Sequence, residues 1–265
     1  MRFEILGPTR VVAGEAVLDV KAAKMQLLLT ALLVRAGQTV TTPQLVTELW
    51  GDLPPRRALA ALHVYISQLR KSLAALREAG APGAGGDLSV ASLVTGSSGY
   101  VFQLREAGLD LLDLQNLMAR GRACAKAGQH ENASRLFRRA VGLWRGPWPG
   151  EGAEGPIISG FATWVSEARM ECSELLMEAH LAAGRHREVI APLRALIAQH
   201  PLRESFHRLL MLALYRSERQ GDALMVYQNA RRSLNQSLGV EPGRRLKQVQ
   251  HQIICADRCL DLSES

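Results

Sequence analysis

The sequence predicts a mainly α-helical protein with a small β component, on three observations. Leu59, Leu62, Ile66, Leu69, Leu73 and Leu76 follow one another at alternating steps of three and four, the apolar seam of one long helix. Two short β-rich runs, Leu93-Val94-Thr95 and Tyr100-Val101-Phe102-Gln103-Leu104, flank Gly96-Ser97-Ser98-Gly99 and read as a hairpin. Residues 108–260 then read as helix throughout. The change of character sets a domain boundary near Glu106-Ala107-Gly108, giving one domain over 1–105, a second over 106–260, and a tail at 261–265.

Composition bounds the rest. Of 265 residues, 47% are hydrophobic and 22% charged, which is globular chemistry, and only 5% are aromatic, so the cores must be built mostly from Leu, Ala and Val. No apolar run approaches the ~18 residues of a membrane span. Glu4 interrupts the N-terminus where a signal peptide would place its apolar run. No membrane is therefore expected, and the protein is placed in the cytoplasm. Cysteines at 124, 172, 255 and 259 show no C-x-x-C spacing and read as idle thiols. Net charge is +7, and 27 of the 32 basic residues are arginine. The excess is spread over both domains, but Arg56, Arg57, Arg70, Lys71 and Arg77 follow one another without an intervening acid. That run is a candidate phosphate-binding stripe.

Along the first domain, Phe3 and Ile5, Val11-Val12 and Val17-Leu18 suggest short strands, broken at Gly7-Pro8 and Gly14. A helix over Ala22 to Ala36 gathers Leu27, Leu28, Ala31, Leu32 and Leu33 on one side and stops at Gly37. Thr42 reads as the N-cap of a second helix, with Pro43 first inside it and Leu45, Val46, Leu49 and Trp50 following. The third helix buries its seam and leaves outward Arg56, Arg57, Ala60, His63, Val64, Ser67, Arg70 and Lys71, flanked by Tyr65 and Gln68. An apolar back with a basic, hydrogen-bonding front is the shape that enters a major groove. A solvated surface face has the same pattern. Glycine-rich Ala79 to Gly86 reads as a flexible loop before the hairpin. Strands, three helices and a closing hairpin make a winged helix-turn-helix order.

The second domain repeats itself. Gly128 to Ala133, Gly184 to Val189 and Glu218 to Ala223 share one pattern, each followed by a large apolar residue (Phe137, Leu193, Tyr227) and then Ala140, Leu196 and Ala230. The last two units are 34 residues apart, the tetratricopeptide period, and the first two are 56 apart. The surplus is assigned to the Pro/Gly-rich stretch Arg145 to Gly160, read as a flexible loop. An all-α, tetratricopeptide-like domain is expected.

No catalytic constellation is found. The histidines at 63, 130, 180, 186, 200, 207 and 251 form no H-E-x-x-H, and no Cys/His set has zinc-ligand spacing, though Cys255 and Cys259 sit one helical turn apart. Gly96 to Gly99 joins strands and is no nucleophile elbow, and no G-x-x-x-x-G-K-[ST] segment is present. No enzyme activity, metal or cofactor is expected. Glu167, Glu171, Glu174 and Glu178 form an acidic ridge that reads as a solvated face or as a contact for a basic partner. Trp144, Trp148 and Trp164 read as packing between helices, with a ligand pocket as the other reading.

Leu6-Gly7-Pro8, Lys24 with Leu27 to Leu33, Gly37, Leu45 to Trp50, Ala61-Leu62 to Leu69-Arg70 and Gly99-Tyr100 resemble the OmpR-type winged helix. Leu143-Trp144-Arg145-Gly146, His200 to Glu204, Leu210 to Arg216 and Leu238 to Gly243 resemble the bacterial transcriptional activator domain. In that order, over roughly residues 2–257, the two modules resemble the Streptomyces antibiotic regulatory proteins. The chain departs from them in offering Ser97 and Ser98 in the wing and Glu218 where a repeat glycine is usual.

The resemblance implies an activator of a secondary-metabolite gene cluster. It implies two copies side by side on direct repeats of promoter DNA near the −35 element, contacting RNA polymerase holoenzyme and its principal sigma factor. Arg56, Arg57, Arg70 and Lys71 are then expected at phosphates or guanine edges, with His63, Tyr65, Ser67 and Gln68 as further contacts. Lys24, Thr41 and Thr42 are expected beside the groove, and Ser97, Ser98 and Tyr100 at the adjacent minor groove. The rival reading is a repeat adaptor or effector sensor whose winged helix binds protein.

Overall fold

The computed structural model describes residues 1–80, 91–147 and 155–260. Most of the expected loop at Ala79 to Gly86, the centre of the one at Arg145 to Gly160, Trp148 and the tail lie outside the described residues. The chain forms two compact units. Unit 1 comprises Met1–Leu117 and Ala140–Arg169, and unit 2 comprises Met118–Arg139 and Met170–Ser265.

Unit 1 opens with an antiparallel meander of β1 (Arg2–Glu4), β2 (Arg10–Ala13) and β3 (Ala16–Asp19). Helix α1 (Ala23–Val34), strand β4 (Thr39–Thr41), helix α2 (Thr42–Trp50) and helix α3 (Ala58–Gly80) come next. The hairpin β5 (Ser92–Thr95) and β6 (Gly99–Gln103) pairs β6 with β4, making a three-stranded wing sheet in the order β4-β6-β5. A short β7 (Gly108–Leu109) then returns parallel to β1. Neither β4 nor β7 is visible in the sequence pattern.

The core of unit 1 lies between α1, the backs of α2 and α3, and the two sheets. Leu28 to Leu33 are buried without a break, so α1 is enclosed on all sides instead of showing one apolar face. Phe3 meets Phe102 edge to face at 5.1 Å, joining the two sheets. The α3 seam is buried from Leu62 to Leu76, but Leu59 is 57% exposed and Ala58 takes the inward position. Helix α3 enters the core one residue earlier than the leucine spacing implies. Thr41, not Thr42, caps α2, because Gln44 stands three residues after Thr41 and completes a capping box. The Gln44 side chain accepts from the Thr41 N–H at 2.9 Å.

The remaining helices are α4 (Asp110–Lys126), α5 (His130–Val141), α6 (Pro156–Ala182), α7 (His186–Gln199), α8 (Glu204–Tyr215), α9 (Gln220–Leu238) and α10 (Arg244–Ile254). The repeat is visible in the backbone of unit 2. Gly128, Gly184 and Glu218 all take positive φ, at 73°, 80° and 62°. Each following N–H reaches the carbonyl five residues back, Gln129 to Cys124, Arg185 to His180 and Arg219 to Leu214, all at 2.9 Å. These are Schellman-type helix ends, which close a helix and turn the chain into the next. The small positions Ala133, Val189 and Ala223 and the large positions Phe137, Leu193 and Tyr227 are buried, as close packing of helix pairs requires. The surplus between the first two units does not lie in the loop alone, since α6 has 27 residues against 12 in α8.

Candidate nucleic-acid interface

Burial of Leu62, Ile66, Leu69 and Leu73 fixes the rotation of α3 and decides what faces outward. Arg56, Arg57, Ala60, His63, Val64, Ser67, Gln68, Arg70 and Lys71 are exposed. Arg56 and Arg57 lie in the turn just before α3, and together with the front of the helix they make a basic, donor-rich face with no acid between Arg56 and Glu78. Beside it stands the wing, its turn closed by the Gly96 N–H on Gly99 O at 2.8 Å. Ser97 and Ser98 are exposed at the tip.

Several of the expected residues have internal roles. The Arg70 guanidinium donates to Leu93 O at 3.0 and 2.8 Å and to Thr95 Oγ1 at 2.8 Å, so it ties α3 to the wing. Tyr65 is half-buried and its ring stacks on Trp50 at 6.2 Å, tying α3 to α2. Tyr100 is 6% exposed and belongs to the wing's packing, so it is not available to a minor groove. Lys24 Nζ donates to Leu49 O at the end of α2, and Thr41 is taken up by the capping box. Thr42 is half-buried, and its N–H donates to Ser98 O at 3.1 Å. For most of these residues the sequence gives no signal of the partner, because it comes from an element distant in the chain.

A second set of residues, all within unit 1, ties the winged helix to the starts of α4 and α6 and to the chain after α5. Asp110 is buried at the start of α4 and accepts from the Ile5 and Leu6 N–H groups at 2.8–2.9 Å. Burial pushes its carboxyl up, against the pull of those two N–H donors. Arg145 lies against Leu6-Gly7-Pro8, its backbone N–H on Leu6 O at 3.0 Å and its Nη1 on Pro8 O at 2.8 Å. It pairs with Glu4 at 3.2 Å. The buried Glu48 of α2 accepts from the Ile157 and Ile158 N–H groups at 2.7 and 3.0 Å.

The acidic ridge on α6 is exposed at Glu167, Glu171 and Glu178, and three of its carboxylates are engaged by neighbouring side chains. Arg122 binds Glu171 at 2.7 Å, Arg208 binds Glu178 at 2.7 Å, and Arg203 with Ser205 holds Glu174. Trp164 is 38% exposed and stacks on Phe161. Among the described residues no group of three His, Cys, Asp or Glu could hold a metal, and no helix is long and apolar enough to cross a membrane. Burial drives the Cys172 thiol up to about 12, so it is inert.

A family model described as "Bacterial transcriptional activator domain" matches residues 109–254, and one described as "Transcriptional regulatory protein, C terminal" matches 16–81. Regulatory protein AfsR of Streptomyces coelicolor is 40% identical, the match covering 98% of this chain and 25% of AfsR. The chain thus spans about a quarter of that relative. Regulatory protein DnrI of Streptomyces peucetius is 33% identical over 98% of this chain and 94% of DnrI. A solved structure, Mycobacterium tuberculosis EmbR in complex with a low affinity phosphopeptide, aligns with a TM-score of 0.85 at 30% identity. That alignment covers 96% of this chain and 65% of the EmbR chain.

Proposed function

The chain belongs to the Streptomyces antibiotic regulatory protein family of transcriptional activators, and from that premise we propose that it switches on an antibiotic or other secondary-metabolite gene cluster by reading direct repeats at the promoter. Residues 1–105 are assigned to DNA binding and 106–260 to activation. Two copies would sit side by side near the −35 element and recruit RNA polymerase holoenzyme through its principal sigma factor and core. The setting would be the nucleoid, in the cytoplasm.

The observation that carries this reading is the exposed basic face from Arg56 to Lys71, free of acid over that span, beside an exposed wing tip. A major groove about 12 Å wide admits a helix. His63, Ser67 and Gln68 would face base edges from within it. Arg56, Arg57 and Lys71 would neutralise phosphates along its walls, and Ser97 and Ser98 would donate to the backbone at the minor groove. Arg70 serves this surface by fixing the wing against α3, and Tyr65 by fixing α3 against α2.

The test is fluorescence anisotropy with a duplex from the promoter of the neighbouring genes against a shuffled duplex, over a salt series. Phosphate neutralisation predicts that log K falls linearly with log salt, with a slope of about −0.9 for each phosphate contact. Tight binding that needs both repeats supports the activator. Equal, weak, salt-labile binding to both duplexes would overturn it in favour of the adaptor.

A further inference from the structure

Helix α6 begins at Pro156 and has no acidic residue in its first turn. The first N–H groups of a helix lack partners within it and carry partial positive charge. Here the charge that answers them comes from 109 residues away in sequence, since Glu48 Oε1 accepts from Ile157 and Oε2 from Ile158. Glu48 is 2% exposed. A carboxylate buried this deeply without donors would be strongly unfavourable, so Glu48 and the α6 N-terminus require one another. The approach is close enough that a Cβ on Gly155 would overlap Glu48 Oε2 and come within 2.5 Å of its Cα. Only glycine fits there.

Glu48 also sits in a short run in which each residue points to a different neighbour. Leu49 accepts from Lys24 of α1 through its carbonyl, and Trp50 stacks on Tyr65 of α3. The α6 N-terminus, the end of α2 and the middle of α3 are therefore linked by one unbroken set of contacts inside unit 1. We infer that Glu48 is a positioning residue for DNA reading: by clamping α2 to the first turn of α6 it sets the angle at which α3 is presented, so that residues 155–158 belong functionally to the DNA-reading unit.

This inference rests on the reading of α3 as the DNA-contacting helix, and the test keeps the two apart. Full-length wild type, Glu48→Gln and Gly155→Ala are compared on the promoter and shuffled duplexes, at a temperature where circular dichroism shows all three folded. Gly155→Ala changes no residue of the winged helix itself and acts by displacing Glu48. Both variants are expected to lose promoter affinity on the order of tenfold, the size of a typical coupling between sites. Binding to the shuffled duplex should be unchanged, because the charges on α3 are untouched. A role confined to stability would lower the melting temperature without moving this ratio.

Amide hydrogen exchange supplies an independent readout. Promoter DNA should slow exchange at 157–160 in the wild type and fail to do so in Glu48→Gln. Folded variants with the wild-type preference for promoter would overturn the inference. If neither variant folds, wild-type exchange at 157–160 that ignores promoter DNA would overturn it. A wild type without promoter preference would remove the DNA reading itself, and this inference with it.

Discussion

Glu218 holds a backbone conformation that its two repeat counterparts leave to glycine, at φ 62° against 73° for Gly128 and 80° for Gly184. A side chain in the left-handed region costs about 1–2 kcal/mol, and glycine recovers this less its own loss of freedom on folding. Glu218→Gly is therefore expected to stabilise unit 2 by about 0.5–1 kcal/mol, read as a higher urea midpoint. A lower midpoint would mean that the Glu218 side chain contributes more than its backbone strain removes. At the basic face, Arg57 in the turn before α3 and Arg70 on the helix should separate. Arg57→Ala should leave stability alone and reduce the salt slope of DNA binding by about 1, as a lost phosphate contact does. Arg70→Ala removes the bonds to Leu93 O and Thr95 Oγ1 and should cost about 1 kcal/mol in stability, with faster amide exchange over 92–95. If Arg70→Ala left the wing's exchange untouched, its role would be contact with DNA instead of support.

Elements whose signal is local were legible, and elements whose partners are distant were not. The α3 seam announces itself by spacing, and its complement names Arg56, Arg57, His63, Ser67, Arg70 and Lys71 as outward residues, with Tyr65 and Gln68 flanking them. Residue type alone puts the cap of α2 one residue late, because Thr41 and Thr42 are equally suitable and only Gln44, three places after Thr41, distinguishes them. Strand β4 has just Thr39, Val40 and Thr41, too short to show alternation, and exists because β6 supplies its hydrogen bonds. Glu48 reads in sequence as one polar residue of an amphipathic helix, since nothing local reveals that its partners are Ile157 and Ile158. The wing sheet yields a sharp prediction at this scale. A Cβ on Gly99 would overlap Val40 O and stand 2.6 Å from Thr41 Cα. Gly99→Ala must push β4 and β6 apart and should cost about 2–3 kcal/mol, the upper range for overpacking. An unchanged melting temperature would show that the two strands leave room for a methyl group.

For the molecule as a whole, pH should act most clearly on unit 2. Burial pushes the imidazoles of His180, His186 and His207 below their ordinary value of 6.5. His180 is further held down by the neighbouring Arg138 and Arg185, and His186 by Arg216. His207 is 4% exposed, and its Nε2–H donates to Pro201 O at 2.8 Å. That bond partly counters the effect of burial, as does the field of Glu204. All three groups are neutral in the fold at a pH where the unfolded chain takes up protons. Because the unfolded state then binds more protons, stability falls as pH falls. Their contribution is fully present above 6.5 and is lost as pH drops from there through the lowered folded values. The N–H donors and guanidinium groups that lower Glu131, Glu241 and Asp257 extend the trend to more acidic pH. In unit 1 two carboxyls pull in opposite directions, since burial raises Asp110 while the guanidinium groups of Arg10, Arg145 and Arg2 outweigh burial and lower Glu4. Thermal unfolding of the full chain between pH 7.5 and 5.5 should therefore show the transition of unit 2 moving down first. His207→Gln should flatten part of that slope, since an amide can still donate to Pro201 O but cannot titrate. A transition that stays level over this range, or one that His207→Gln leaves equally steep, would mean that the buried imidazoles are not what ties the stability of unit 2 to pH.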